Sequence, residues 1–567
     1  MKEVFLTDLT KYISPESYST QSLPYRWRAI SYRTEEREGT MLYAPPGSNA
    51  PELKIRPELS GWYIVRVGMW SPSRELPAAF LRARLTGDRG WSQLRVAQIK
   101  ERGKFIDEVF WRCAELTPET EFRFAMFGYY EPPQATIAWL RFIPMDAAQI
   151  AQVKADREDN SENLRLLGTH DMHYLFCVKD PTVAENLYEE IEVYRESDFE
   201  VLHYEFLTGG PDLEDELSEL SWEFGRIGDV FHRSGDYYYR LSMEKLRAEN
   251  ARLQLYKDLV DLTHSMGRRM YMSFRTQAFS VDPPYDDGFT TKFFDRNPQW
   301  RCVAQDGSQI SRMSYAYEGV QDRLIRNYLY MLQTGCDGVS VLFNRCFPFV
   351  MYEEPAAERF AAKYGVPGHE VAFDDPRWCE LRAEIVTEYL RRLRAALDKA
   401  AEEMGRERIA LSIHMLLDKE TNFLYGLDGR TLAVEGIVDD IVAHPITDNL
   451  QGRYLSYCEF TDEDLQYYAD MVKGTNVRLY CDMFPRVMSV EEYRTKAARA
   501  YAHGFYGLAF WDSYSRHFRR SEWGCVSRLG HRDELNEEFP EWRAERSERL
   551  VEVSGHRVMY WQPIWAL

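Results

Sequence analysis

From residue 164 onward, short apolar runs alternate with longer segments whose apolar positions recur every three or four residues. Short apolar runs bounded by turn residues read as buried strands, and the periodic segments read as amphipathic helices, so the pattern is a chain of βα units. Eight runs qualify: residues 166–170, 199–206, 269–276, 338–344, 409–416, 439–444, 477–484 and 507–513. Eight such units close a (β/α)8 TIM barrel, with an open doubly wound sheet as the alternative. The helices between the runs are punctuated as helices should be. Thr182 with Glu185 and Ser489 with Glu492 fit capping boxes, and Asp375-Pro376 fits an N-cap followed by proline. Gly267, Gly474 and Gly504 fit C-terminal glycines that hand the chain to a strand. Trp378, Leu381, Ile385, Leu393 and Leu397 fall on one face of a long helix, as an outer barrel helix requires. The connections after Phe206, Thr276 and Asn344 are long and would build walls on the catalytic face.

Earlier in the chain the period is two. Runs at 61–70, 80–85, 108–113, 122–127 and 137–143 are separated by turn signals such as Gly87-Asp88 and Glu131-Pro132-Pro133. Strands at this spacing predict an all-β sandwich, jelly-roll-like, over residues 1–146. Residues 147–163 read as a helical or irregular linker, 164–531 as the barrel, and 532–567 as an extension whose aromatic stretch 551–567 packs back on the protein.

Charge and composition narrow the function classes. The formal charge of −20 repels phosphate backbones, which argues against a nucleic-acid partner. No apolar run approaches the roughly 20 residues of a membrane span, so no membrane partner is expected. Nine cysteines without a CxxC pair read as reduced thiols of a cytoplasmic protein with no zinc knuckle. Aromatic residues make up 14% of the chain, enough to fill a core and still line a sugar site.

Strand alternation then selects the inward side chains. In the fifth run Ala410, Ser412 and His414 share a face; in the seventh, Arg478, Tyr480 and Asp482 do. The same reading aims His203 and Glu205, Arg275, Asn344, His444 and Trp511 at the barrel interior. The first run offers His170 with Asp171 beyond it, and Asp512 follows Trp511. Barrel active sites sit at the C-terminal strand ends, and glycoside hydrolysis needs two carboxyl groups. Asp482 is therefore the leading catalytic candidate. Glu353 in the loop after the fourth run is its expected partner, and Glu205 is the alternative acid. His170, Asp171, His203, Arg275, Asn344, Arg345, His414, His444, Trp511 and Asp512 are the candidate substrate contacts. The expectation is a carbohydrate substrate with no metal or other cofactor; a homo-oligomer is left open.

The stretch from Asp337-Gly338-Val339 through Arg345, followed by Tyr352-Glu353-Glu354-Pro355, resembles the family-10-glycosylhydrolase-like barrel proteins. Asp337, Gly338 and Arg345 match that group's strand-four motif, while Leu342 and Phe343 stand at its Asp and Tyr positions. The resemblance implies a barrel hydrolase of glycosidic bonds over roughly residues 164 to 531. Two other readings stand beside it. One is a metal-dependent hydrolase of the amidohydrolase type, using His170, His173, His414, His444 and Asp512. The other is a barrel that binds sugar without chemistry.

Overall fold

In the computed structural model, residues 2–72, 79–96, 101, 103–126, 134–170, 184–205, 252–277, 279–280, 290–345, 347–449, 454–511 and 520–559 are described. The second half closes into a parallel barrel of eight strands. These are β1 (Leu166–His170), β2 (Phe199–Glu205), β3 (Arg269–Phe274) and β4 (Gly338–Leu342), then β5 (Ala410–Met415), β6 (Asp440–Ala443), β7 (Arg478–Asp482) and β8 (Gly507–Trp511). All eight coincide with the runs read from the sequence. The helix Pro376–Glu403 starts at the Asp375 N-cap and buries Trp378, Leu381, Ile385, Leu393 and Leu397. The Ser489–Glu492 capping box forms, and Gly267, Gly474 and Gly504 take the left-handed backbone that ends a helix. Thr182 and the connection 206–251 lie outside the described residues.

Residues paired across neighbouring strands share a face, so the register identifies the interior. Thr169 pairs with both His203 and Trp511, His203 pairs with Tyr271, Leu342 with His414, and Asp482 with Ala509. The N-terminal end of the interior is plugged by charge. Arg478 donates to both Asp440 oxygens at 2.7 and 3.0 Å and to Glu200 at 2.9 Å, while the Tyr480 and Tyr506 hydroxyls donate to Glu200. Apolar Leu167, Val201, Val442 and Ala509 pack among these groups. A filled floor leaves the C-terminal mouth as the end that can receive a ligand.

The register corrects the first strand. Thr169 faces inward, so His170 faces the helix layer, where its ring stacks on Tyr204 at 4.9 Å.

The β-rich part has two packed sheets. One has ten strands, with Gly61–Trp70 paired to Trp139–Pro144 and to Phe105–Leu116; the other orders Leu53–Ile55, Phe122–Ala125, Phe80–Leu85 and Ser92–Arg95. Trp111, Phe122, Phe124 and Phe142 fill the space between them, with ring centroids 5.3–5.9 Å apart. The strand Arg546–Val553, from the far end of the chain, lies inside the larger sheet between Phe105–Leu116 and Trp27–Thr34. Residues 1–146 therefore do not hold the whole sandwich. The returning strand also starts earlier than the aromatic stretch 551–567 suggested, because its alternation is carried by Glu548, Leu550 and Glu552 rather than by aromatics. The stretch 147–163 contains the helix Ala147–Glu158, opened by a capping box of Asp146 and Gln149.

Candidate active site

At the C-terminal end of β7, Asp482 is 3% exposed and both its oxygens are engaged. Oδ2 lies 2.6 Å from Nδ1 of His444, and Oδ1 accepts the Trp511 backbone N–H at 3.2 Å. A carboxylate can only accept, so His444 carries its proton on Nδ1 and turns the Nε2 lone pair away from Asp482. Burial pushes the His444 imidazole down to about 4 despite the opposing pull of Asp482, so it is neutral near pH 7.

Arg345, just past β4, closes the group. Its guanidinium lies over the Trp511 ring at 4.2 Å, and Nη1 donates to the Asn344 carbonyl at 3.0 Å and reaches His444 Nε2 at 3.5 Å. The His414 ring meets Trp511 edge to face at 5.5 Å, and His444 meets it at 5.0 Å. Trp511 is thus the hub on which β4, β5, β6 and β7 converge.

Deeper in the barrel His203 stacks on Tyr271 and meets His414 edge to face. Burial, with Arg269 and Arg478 adding to it, holds His203 down to about 3, and burial depresses His414 as well. Ser340 Oγ lies 3.3 Å from His414 Nδ1. Both nitrogens of His203, Nε2 of His414, both amide atoms of Asn344 and the hydroxyls of Ser273 and Ser412 have no hydrogen-bond partner among the described residues. All five side chains are wholly buried. Buried polar atoms left unpaired are costly and rare. This cluster of donors and acceptors matches water or a ligand that both donates and accepts.

Glu205 ends β2 with no exposure, and Arg275 Nε donates to its Oε2 at 3.2 Å. Around the ring, β2 and β7 are separated by β1 and β8, so Glu205 and Asp482 flank Thr169 and Trp511.

Glu353, the expected partner of Asp482, is used differently. Its carboxyl accepts the Met351 N–H at 3.0 and 3.1 Å, the Val303 N–H at 3.4 Å and the Ser314 hydroxyl. It ties the hairpin Arg301–Val303/Gln309–Met313 to the start of the helix Glu354–Tyr364, which spends both oxygens on the scaffold. His170 is turned outward, as its strand register requires. Asp171, His173 and Asp512 lie outside the described residues.

One side chain at the rim had no signal in the sequence. Tyr457, 39% exposed, belongs to the hairpin Ile446–Asn449/Tyr454–Tyr457. Its ring stacks on Phe484 at 5.5 Å and lies 5.8 Å from His444. The segment Tyr454-Leu-Ser-Tyr457 sits in a βα connection, where neither barrel periodicity nor a motif marks it.

No family model matches the chain, and no curated protein does. Among solved structures it is similar to the PgaB (BpsB) glycoside hydrolase domain from Bordetella bronchiseptica, at 12% identity and TM-score 0.41, covering 64% of this chain and 99% of that one. It is also similar to the β-amylase catalytic domain from Paenibacillus polymyxa, at 9% identity and TM-score 0.40, covering 66% and 99%. A third is a β-galactosidase from the psychrophilic Marinomonas ef1, at 11% identity and TM-score 0.38, covering 61% of this chain. The chain spans about half, 53%, of that enzyme's length. Likeness at these scores carries nothing about reaction or substrate. The seven described cysteines are unpaired, and no helix among the described residues is long and apolar enough to cross a membrane.

Proposed function

We propose that the protein hydrolyses glycosidic bonds at the C-terminal mouth of the barrel, with Asp482 and Glu205 as the two carboxyl groups. The observation that carries this reading is the lining of unpaired buried polar atoms on His203, Ser273, Asn344, Ser412 and His414. Sugar hydroxyls donate and accept at once, so a sugar ring would satisfy imidazole, amide and hydroxyl groups together. Tyr457, exposed at the rim, supplies an aromatic face for the apolar side of that ring. Asp482 is fixed by His444 and the Trp511 N–H, the kind of preorganisation that stabilises developing positive charge. Glu205, beside Arg275, is the second carboxyl in place of Glu353. The resemblance of the β4 motif to family-10-like glycosylhydrolases points the same way.

The test is turnover on a panel of aryl glycosides and oligosaccharides. Asp482→Asn and Glu205→Gln should each lower the rate by roughly 10³-fold or more while the fold is kept. Near wild-type turnover in both folded variants would overturn the assignment.

The 2.6 Å contact between Asp482 and His444 favours one other arrangement, in which neutral His444 takes the proton through Nε2 and Asp482 holds its tautomer. In that case His444→Gln would lose as much rate as Asp482→Asn, and wild-type activity would collapse below about pH 4, where His444 becomes protonated.

A further inference from the structure

Four arginines reach the barrel interior among the described residues, and three are neutralised there. Arg269 pairs with Glu200, Arg478 with Glu200 and Asp440, and Arg275 with Glu205. Among the described residues Arg345 has no carboxylate partner. Its contacts are the neighbouring Asn344 carbonyl, His444 Nε2 and the Trp511 face, and all of its hydrogen bonds use Nη1. The edge formed by Nε and Nη2, the planar fork that binds a carboxylate with two parallel hydrogen bonds, is left without a partner among the described residues. Asp482 is bonded to the Nδ1 side of His444, whose Nε2 faces Arg345. In a chain of net charge −20, a half-buried guanidinium held flat on a tryptophan at the mouth is not part of a general basic surface.

We propose that this free edge of Arg345 receives a carboxylate of the substrate, so that the sugar bound at the mouth is a uronic acid. The inference rests on the glycosidase reading for the site and adds the class of sugar. Nη1 is bonded to the Asn344 carbonyl and reaches His444 Nε2 at 3.5 Å, so a uronate carboxyl on the remaining edge would bring its pyranose ring to the mouth beside these residues. Carboxylate is favoured over sulfate because a planar fork matches a planar acceptor.

The experiment measures binding of D-glucuronate, D-galacturonate, glucose, galactose and glucose 6-sulfate to the full chain by saturation-transfer NMR and calorimetry. It is run alongside hydrolysis of the matching aryl glycosides. A uronate should bind the wild type roughly 10- to 100-fold more tightly than its neutral counterpart and weaken as salt is raised. Arg345→Gln should remove that preference, and Arg345→Lys should restore only part of it, because a point charge lacks the fork. Equal binding of uronate and neutral sugar to the wild type overturns the inference without needing any variant, as does a preference for the sulfate ester. Uronate binding that depends on Arg345 without turnover of any glycoside would keep the inference and overturn the glycosidase reading. Turnover confined to neutral glycosides would do the reverse.

Discussion

Asp482 and Glu353 are both buried carboxyl groups, and different donors surround them. Asp482 is bound by one imidazole and one backbone N–H at the barrel mouth, whereas Glu353 is wrapped by two backbone N–H groups and a hydroxyl from two loops. The inward placement of Asp482, His414, His444, Glu205 and Trp511 was legible in the sequence because their strands alternate cleanly. The surroundings of Glu353 were not, since a loop carboxylate carries no mark of which donors will surround it. The orientation of His170 was also hidden: Leu166 and Leu167 are adjacent apolar residues, one for each face, and only pairing of Thr169 with Trp511 decides between them. Removing the Glu353 carboxyl strands buried donors on Met351, Val303 and Ser314. Glu353→Ala should therefore cost roughly 2–4 kcal/mol of stability, read as a lower urea midpoint. An unchanged midpoint would show that these contacts carry little energy.

At the level of elements, the eight strands and the capped helices could be read because period and punctuation agree. The hairpins Arg301–Val303/Gln309–Met313 and Ile446–Asn449/Tyr454–Tyr457 could not, because they are short insertions without a repeated pattern. The joint between the linker helix Ala147–Glu158 and the barrel depends on charge. His531 Nδ1 lies 2.8 Å from Asp198, and Nε2 lies 3.6 Å from Asp156 on the helix. Burial works against the imidazolium, but the two carboxylates outweigh it and raise His531 to about 9. A folded value above the unfolded value of about 6.5 means protonation favours the folded state. That stability is fully present below pH 6.5 and is lost as pH rises through about 9. It should amount to something on the order of 2 kcal/mol. The melting temperature of wild type should fall relative to His531→Gln across that window, and parallel curves would refute the coupling.

On the scale of the whole molecule, the two ends of the chain meet in one sheet. The first half of Arg546–Val553 pairs with Phe105–Leu116 through Arg546 and Glu108, and its second half pairs with Trp27–Thr34 through Val553 and Tyr32. Without it the ten-stranded sheet separates into two pieces with unpaired edges. The return is anchored on both sides. Arg66, wholly buried and paired with Glu108 at 2.7 Å, donates to the carbonyls of Trp542 and Ala544, and Glu548 accepts from Thr34 at 2.9 Å and from Arg37 at 2.7 Å. The barrel has its own closed sheet and core and needs none of these contacts. A chain ending at residue 544 should consequently lose the sandwich before the barrel. Calorimetry should show a new, lower transition ahead of the barrel's, and hydrogen exchange should quicken across the sandwich strands while the barrel strands keep their protection. Adding a peptide of residues 541–559 should move the lower transition back up by mass action. A single unchanged transition in the truncated chain would mean that the N-terminal strands hold together without their distant partner.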